Sequence, residues 1–204
     1  MSLRVSGGRR LRSPKGDVAR PTSSRVRLAV INLLAPRLAG ARWLDLCCGS
    51  GAMACEALQH GVAEVAAVER DRRIAAVARA NLEAVLAGLA GNGKGAGPAG
   101  RVDVEEVLRW LARPCTTPFD LIYADPPYAA GLYAPIATAV LKGGWLAPAG
   151  ILVWECASDA VPELPPGWRC HDRRRYGGST VVLLEAAPQQ RNGTVPGHPP
   201  PTAP

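Results

Sequence analysis

The sequence predicts an α/β domain, a mostly parallel sheet with helices on both faces. Three observations predict it. Short β-favouring runs and helical segments alternate at least four times between residues 22 and 187. A glycine turn, Gly49-Ser50-Gly51, joins the first strong strand to a helix. Asp45, Glu69 and Asp125 stand where predicted strands end, the edge at which such sheets bind ligands.

The 204 residues suffice for one such domain with a good core and a few appendages. Apolar residues make up 48% and aromatics 5%, which predicts an Ala/Leu/Val core with few large anchors. A net charge of +7 favours a polyanionic partner. The six cysteines (Cys47, Cys48, Cys55, Cys115, Cys156, Cys170) have neither CxxC spacing nor partnering histidines, so no metal is expected. No apolar run is long enough for a membrane span, and MSLRVSGGRRLR lacks a signal-peptide h-region. A cytoplasmic protein with reduced thiols is expected.

Residues 1–21 form a basic arm: eight Lys/Arg between Arg4 and Arg27 are opposed only by Asp17. It reads as a solvated, disordered arm or as a phosphate-binding one. The domain proper covers 22–187. Its first helix starts at Arg20-Pro21-Thr22-Ser23, with Thr22 or Ser23 as cap. Val26, Ala29, Val30, Leu33 and Leu34 make the apolar stripe, leaving Arg25 and Arg27 near an exposed start and Pro36 to end the helix.

A strand over 41–46 and a helix over 52–60, closed by Gly61, flank the glycine turn. A second strand over 64–68 ends at Glu69, and Asp71 caps a helix over 72–86 that buries Ile74, Val77, Ala78, Leu82 and Val85. Residues 88–100 hold six glycines and no large side chain, the composition of a flexible insertion. Then come a strand over 101–104, a short helix over 106–113 and a strand over 119–124. A helix over 132–141 is broken by Gly143-Gly144, and a fifth strand covers 151–155. Segments 168–176 and 180–184 around Gly177-Gly178 read as a terminal hairpin. The Pro/Gly-rich tail, 188–204, is expected to be disordered.

Three sites carry chemistry. Gly49 and Gly51 let the backbone turn tightly and approach a ligand, while the next helix points free N–H groups at it. Asp45 is placed to receive a cation or an ammonium. Glu69, 24 residues further on, is placed to accept both hydroxyls of a ribose, so a nucleoside-containing cofactor is indicated. A dinucleotide and S-adenosylmethionine both remain open, although GSG followed by Ala52-Met53-Ala54 is a weak pyrophosphate fingerprint.

Asp125-Pro126-Pro127-Tyr128 favours the methyl donor. An exocyclic amine on a base is a poor nucleophile, because its lone pair is delocalised into the ring. A carboxylate accepting one N–H, with the Pro126 carbonyl near the other, would localise that pair largely by positioning and electrostatics. Tyr128 can stack on a base taken out of its helix. A hydride-transfer enzyme has no evident use for this tetrapeptide.

With these residues the chain resembles class I S-adenosylmethionine-dependent methyltransferases acting on an exocyclic amine. More narrowly it is similar to the RsmD family, which methylates guanine N2 in 16S ribosomal RNA. The resemblance spans roughly 3–185. It rests on Gly7-Gly8-Arg9, Arg20-Pro21-Thr22, Arg25-Val26-Arg27, Leu44-Asp45-Leu46 with Gly49-Ser50-Gly51, Glu69-Arg70-Asp71 and the DPPY tetrapeptide. Cys47-Cys48 replaces the Phe-Ala or Phe-Cys more usual before GSG, and the 88–100 insertion is longer than the family needs.

The resemblance implies a Rossmann-like fold whose seven-stranded sheet ends in an antiparallel hairpin. It implies S-adenosylmethionine contacts at Asp45, Gly49, Gly51 and Glu69, with Glu106 approaching the adenine amino group. It places Asp125 and Pro126 at the target amine and Tyr128 beside the base. The partner would be 16S rRNA in an assembling 30S subunit, and the enzyme a monomer. Arg9, Arg10, Arg20, Arg25 and Arg27 would then grip phosphates around a flipped guanine, with Arg173-Arg174-Arg175 adding to that surface. On this reading, removing residues 1–19 raises the KM for RNA and leaves cofactor affinity alone.

Other substrates suit the same loop: DNA adenine N6, cytosine N4 or a protein glutamine amide. No stretch is long enough for a DNA target-recognition region, and glutamine methyltransferases mostly carry Asn where Asp125 stands. A non-catalytic RNA-binding protein of this fold is the remaining alternative. Keeping Asp45, Glu69 and Asp125 together argues against it.

Overall fold

A computed structural model describes residues 3–14, 23–90 and 97–188. Its centre is a seven-stranded sheet in the order β3-β2-β1-β4-β5-β7-β6. The strands are β1 (Arg42–Leu46), β2 (Glu64–Glu69), β3 (Ala99–Val104), β4 (Phe119–Ala124), β5 (Leu146–Ala157), β6 (Trp168–Tyr176) and β7 (Ser179–Ala186). The first five pair in parallel, and β7 runs antiparallel to both β5 and β6. This is the mixed sheet with a terminal antiparallel hairpin that the sequence predicts.

Helices α1 (Ser24–Leu38), α2 (Ala52–Gln59) and α3 (Arg72–Ala90) cover one face; α4 (Val107–Leu111) and α5 (Tyr133–Lys142) cover the other. Alternation along β1 divides the core: Trp43 faces the first layer, while Leu44 and Leu46 face the second. The aromatics are scarce but anchor both layers. Trp43, Trp110, Trp145, Trp154 and Trp168 are all buried, and Trp110 and Trp145 stand 4.4 Å apart between ring centroids.

Several boundaries differ from the sequence expectation, each for a packing reason. Ser23 caps α1, accepting from the Val26 N–H at 3.2 Å. Pro36 does not end this helix; Leu34 and Leu38 continue the buried stripe past it, and Arg37 donates to the Ala149 carbonyl at 2.8 Å. Helix α3 runs four residues beyond 86 because Leu86 and Leu89 still pack on the core. The predicted insertion therefore shrinks: 88–90 are helical and 99–100 are in β3, while 91–96 lie outside the described residues. Strand β5 begins well before 151, its start disguised by Pro148, Gly150 and a register shift against β4.

The amino-terminal segment is not a free arm as far as Pro14. Arg4 bridges Arg10 in a tight antiparallel turn, the Leu11 N–H donates to the Leu3 carbonyl at 2.8 Å, and Val5 and Leu11 are buried against the first helical layer. This clasp would leave two apolar side chains and several polar partners uncovered if removed. Truncation therefore does not isolate RNA binding. Residues 15–22, Arg20 among them, and the tail from 189 lie outside the described residues.

Candidate active site

The strand order reverses between β1 and β4, and Leu46 pairs with Ala124 at their carboxyl ends. The residues that follow, Cys47 and Asp125, thus emerge side by side at the switch point where sheets of this kind bind ligands.

The turn after β1 is held in a left-handed path. Cys47 has φ 60°, Gly49 53° and Gly51 72°. The Cys48 N–H donates to the Val68 carbonyl at 2.9 Å, and the Gly51 N–H to the Cys48 carbonyl at 2.8 Å. Gly51 opens α2 and is confined from behind: a Cβ there would lie 3.2 Å from that of Ala78 and 3.3 Å from Leu82 Cδ1. At Gly49 a Cβ would meet nothing within 4 Å, so only its backbone angle calls for glycine.

Two acids brace this turn. Glu69 accepts the Gly49 N–H at 3.0 Å on one oxygen and the Asp71 N–H at 2.9 Å on the other. An ionised carboxylate has about four acceptor sites, so each oxygen keeps capacity toward a ligand hydroxyl. Asp45 accepts the Ala54 N–H at 3.0 Å in the first turn of α2 and is only 1% exposed. The Asp45 carboxyl thus ties the strand end to the first turn of the helix that follows the glycine turn. Burial, with the charges of Asp125 and Glu69 adding, pushes its pKa up to about 8 against the backbone bond from Ala54.

Asp125 is half-buried at the mouth. Pro126 is buried, and its carbonyl lies 3.5 Å from the Tyr133 hydroxyl, which donates to the Glu155 carbonyl at 2.5 Å. Below them, the Tyr123 hydroxyl donates to the Glu155 carboxyl at 2.5 Å, and burial raises the Glu155 pKa. Tyr128 opens a 3₁₀ turn and leaves 46% of its surface exposed. Glu106 caps α4, accepting the Arg109 N–H at 2.9 Å, and is exposed. Burial pushes the Cys47 thiol pKa up to about 12, and Glu69, Asp45, Asp125 and Glu106 raise it further.

The expected phosphate-gripping arginines divide. Arg9, Arg10 and Arg25 are exposed, with the Arg9 guanidinium lying so close over Gly88 that a Cβ there would collide with it. Arg27 does not belong with them. It is 1% exposed, pairs with buried Glu56 at 3.1 Å and donates to the Arg4 carbonyl at 2.6 Å. One helical position separates an exposed side chain from a buried one. On β6, Arg173 is exposed, Arg174 pairs with Asp172 at 2.9 Å and Arg175 donates to the Gly177 carbonyl at 3.1 Å.

Sequence reasoning missed Glu56, Asn81, Tyr133 and Glu155. Their signal was a lone polar residue in an apolar context: Glu56 within AMACEALQ, Asn81 beside Ala78 and Leu82, and Glu155 closing ILVWE. Among the described residues, no cluster of His, Cys, Asp or Glu could hold a metal ion, and no helix is long and apolar enough to cross a membrane.

Comparison with known proteins agrees with this geometry. The family described as conserved hypothetical protein 95 matches residues 4–185. The ribosomal RNA small subunit methyltransferase D of Escherichia coli K12 is 32% identical over 187 residues, 89% of this chain and 88% of that protein. The Haemophilus influenzae protein of the same name is 27% identical over 79% of this chain and 80% of its own. Among solved structures, yhhF of Escherichia coli superposes with a TM-score of 0.74 at 30% identity, covering 93% of this chain and all of that one. The rRNA methyltransferase aviRa of Streptomyces viridochromogenes, at 17% identity and a TM-score of 0.63 over 83% of this chain and 87% of its own, shares the fold. The fold is thus the Rossmann-like methyltransferase fold, and the chain belongs to the conserved hypothetical protein 95 family, the RsmD family.

Proposed function

We propose that this protein is an rRNA methyltransferase, and that it moves a methyl group from S-adenosylmethionine to the exocyclic N2 amine of a guanine in 16S rRNA. One observation carries the reading. At the switch point Glu69 accepts the Gly49 N–H at 3.0 Å, and Asp125 follows the strand that pairs with the one leading into the turn, so two carboxylates flank the place where sheets of this kind bind ligands. Such a cleft fits a cationic nucleoside and repels a pyrophosphate. The match to ribosomal RNA small subunit methyltransferase D over 89% of this chain supports the RNA substrate.

In this reading Glu69 takes the ribose, the Gly49–Gly51 turn and the start of α2 approach the amino-acid portion, and Glu106 lies toward the adenine. The donor, when bound, supplies an electrophilic methyl on a sulfonium. Asp125 accepts one N–H of the target amine and the Pro126 carbonyl the other, so that the nitrogen lone pair is localised. Asp125, already bonded to the amine in this reading, takes the proton that the methylated amine releases. Tyr128 offers its exposed ring to the extruded base. Arg9, Arg10 and Arg25 contribute phosphate contacts, and an assembling 30S subunit would present that RNA.

The test is incubation of the full chain with labelled S-adenosylmethionine and unmodified 16S rRNA or 30S particles, followed by nucleoside mapping by mass spectrometry. N2-methylguanosine at one site is expected. Asp125→Ala is expected to keep cofactor binding and lower kcat by about 10²–10⁴. Near-wild-type turnover in that variant would remove Asp125 from the chemistry, and label on a base other than guanine would replace the substrate.

A further inference from the structure

The clasp and the glycine turn are far apart in sequence, yet one buried side chain holds both. Asn81 lies in the interior of α3 and is 2% exposed. Its Oδ1 accepts the Arg12 N–H at 2.8 Å; its Nδ2 donates to the Arg12 carbonyl at 3.0 Å and to the Ser50 carbonyl at 2.9 Å. Both amide hydrogens and the oxygen are thereby used. The reversed amide would set its oxygen against two carbonyls, so the pattern of partners fixes its orientation.

The arrangement is specific on each side. Toward the clasp, Asn81 meets Arg12 through N–H and C=O together, as a neighbouring strand would, which fixes position along the chain. Toward the turn, it holds the carbonyl of Ser50, the one residue between Gly49 and Gly51, on the opposite side of the peptide whose N–H is bonded to the Cys48 carbonyl. A second tie runs parallel. The Ser6 N–H donates at 2.9 Å to Glu56, which sits on the helix that Gly51 opens. These two ties of the clasp thus lead to the turn or to its helix, while a third, from Arg27 to the Arg4 carbonyl, comes from α1.

We propose that Asn81 is a positioning residue that couples the amino-terminal clasp to the cofactor turn, so that filling the cofactor site steadies the clasp that carries Arg9, Arg10 and Arg12 toward RNA. The inference rests on the reading of Gly49–Gly51 as the S-adenosylmethionine site. Linkage makes the effect reciprocal: RNA held by the clasp tightens the cofactor. Removal of residues 1–19 is accordingly expected to weaken both ligands, not RNA alone.

Hydrogen exchange read by mass spectrometry on the full chain, with and without S-adenosylmethionine, tests this. Cofactor is expected to slow exchange in peptides covering 45–69 and, by about fivefold or more, in those covering 3–12. Protection of 45–69 alone overturns the inference and leaves the cofactor reading standing. Protection of neither overturns both. Asn81→Leu, similar in size but without the three bonds, is expected to retain cofactor protection at 45–69 and lose it at 3–12. A bond that only stabilised the fold would slow exchange equally with and without cofactor, so an unchanged cofactor-dependent difference in N81L also overturns the assignment. Should N81L not fold, Asn81→Ser, smaller and still polar but too short to span both partners, takes its place under the same readout and the same two outcomes.

Discussion

Replacing Arg27 and Arg25 separately distinguishes a structural cation from an RNA-facing one two positions away. Arg27 is buried against Glu56 at 3.1 Å, and Glu56 also accepts the Ser6 N–H at 2.9 Å. Arg27→Ala leaves the Glu56 charge without its guanidinium and removes the bond to the Arg4 carbonyl. Breaking a buried pair from one side costs about 3–5 kcal/mol. For a domain of this size each kcal/mol lowers Tm by about 2–4 °C, so a fall of roughly 6–20 °C is expected. Glu56→Ala should fall comparably. Arg27→Met with Glu56→Leu removes both charges together and should recover much of the loss, because well-packed apolar pairs replace buried ion pairs at little net cost. Arg25→Ala, at an exposed position, should stay within about 0.5 kcal/mol of wild type and raise only the KM for RNA. Thermal unfolding by circular dichroism measures the first set, and steady-state methylation of 16S rRNA the second. If R27A and R25A melt together, the buried pair is not what fastens the clasp.

Three further outcomes follow from the site. Asp45 has a native pKa of about 8 against an ordinary 3.8, so between those values the native state keeps a proton that the unfolded chain has lost; stability without cofactor should fall as pH rises through that window. Asp45→Asn should flatten the fall in a series of melting curves, and an unchanged slope would show that another group is responsible. Gly51→Ala forces a left-handed residue into contact with Ala78 and Leu82 and should cost about 2–4 kcal/mol from backbone and overpacking together, whereas Gly49→Ala should cost about 1–2 kcal/mol from the backbone alone; chemical denaturation of the two would expose any inversion. Tyr133→Phe withdraws the hydroxyl from the Glu155 carbonyl and from beneath Pro126, and should lower kcat with little change in cofactor affinity; a loss confined to cofactor affinity would place Tyr133 elsewhere in the cycle.

What was legible in the sequence, and what was not, follows from how each interaction is encoded. Asp125-Pro126-Pro127-Tyr128 and Gly49-Ser50-Gly51 could be read because a stiff turn after an apolar strand is a local statement: neighbours in the chain define its geometry. The sheet was legible for the same reason, since strand and helix periodicities are local, and the order in which parallel strands stack is narrowly limited by their crossovers. Boundaries failed where distant packing overruled local preference, as at Pro36, where Leu38 keeps the helix going, and at Gly88, whose missing side chain makes room for Arg9 rather than loosening a loop. Composition, too, was a poor guide to depth: Arg27 looks like Arg25 until Glu56 arrives from 29 residues away. Asn81 is the extreme case, because its two partner residues, Arg12 and Ser50, lie 69 and 31 residues off and nothing in its own segment names them. A polar residue in an apolar stripe is therefore best read as one end of a bond whose other end must be sought. In this chain, the bonds found that way run from the clasp to the turn that the site is built on.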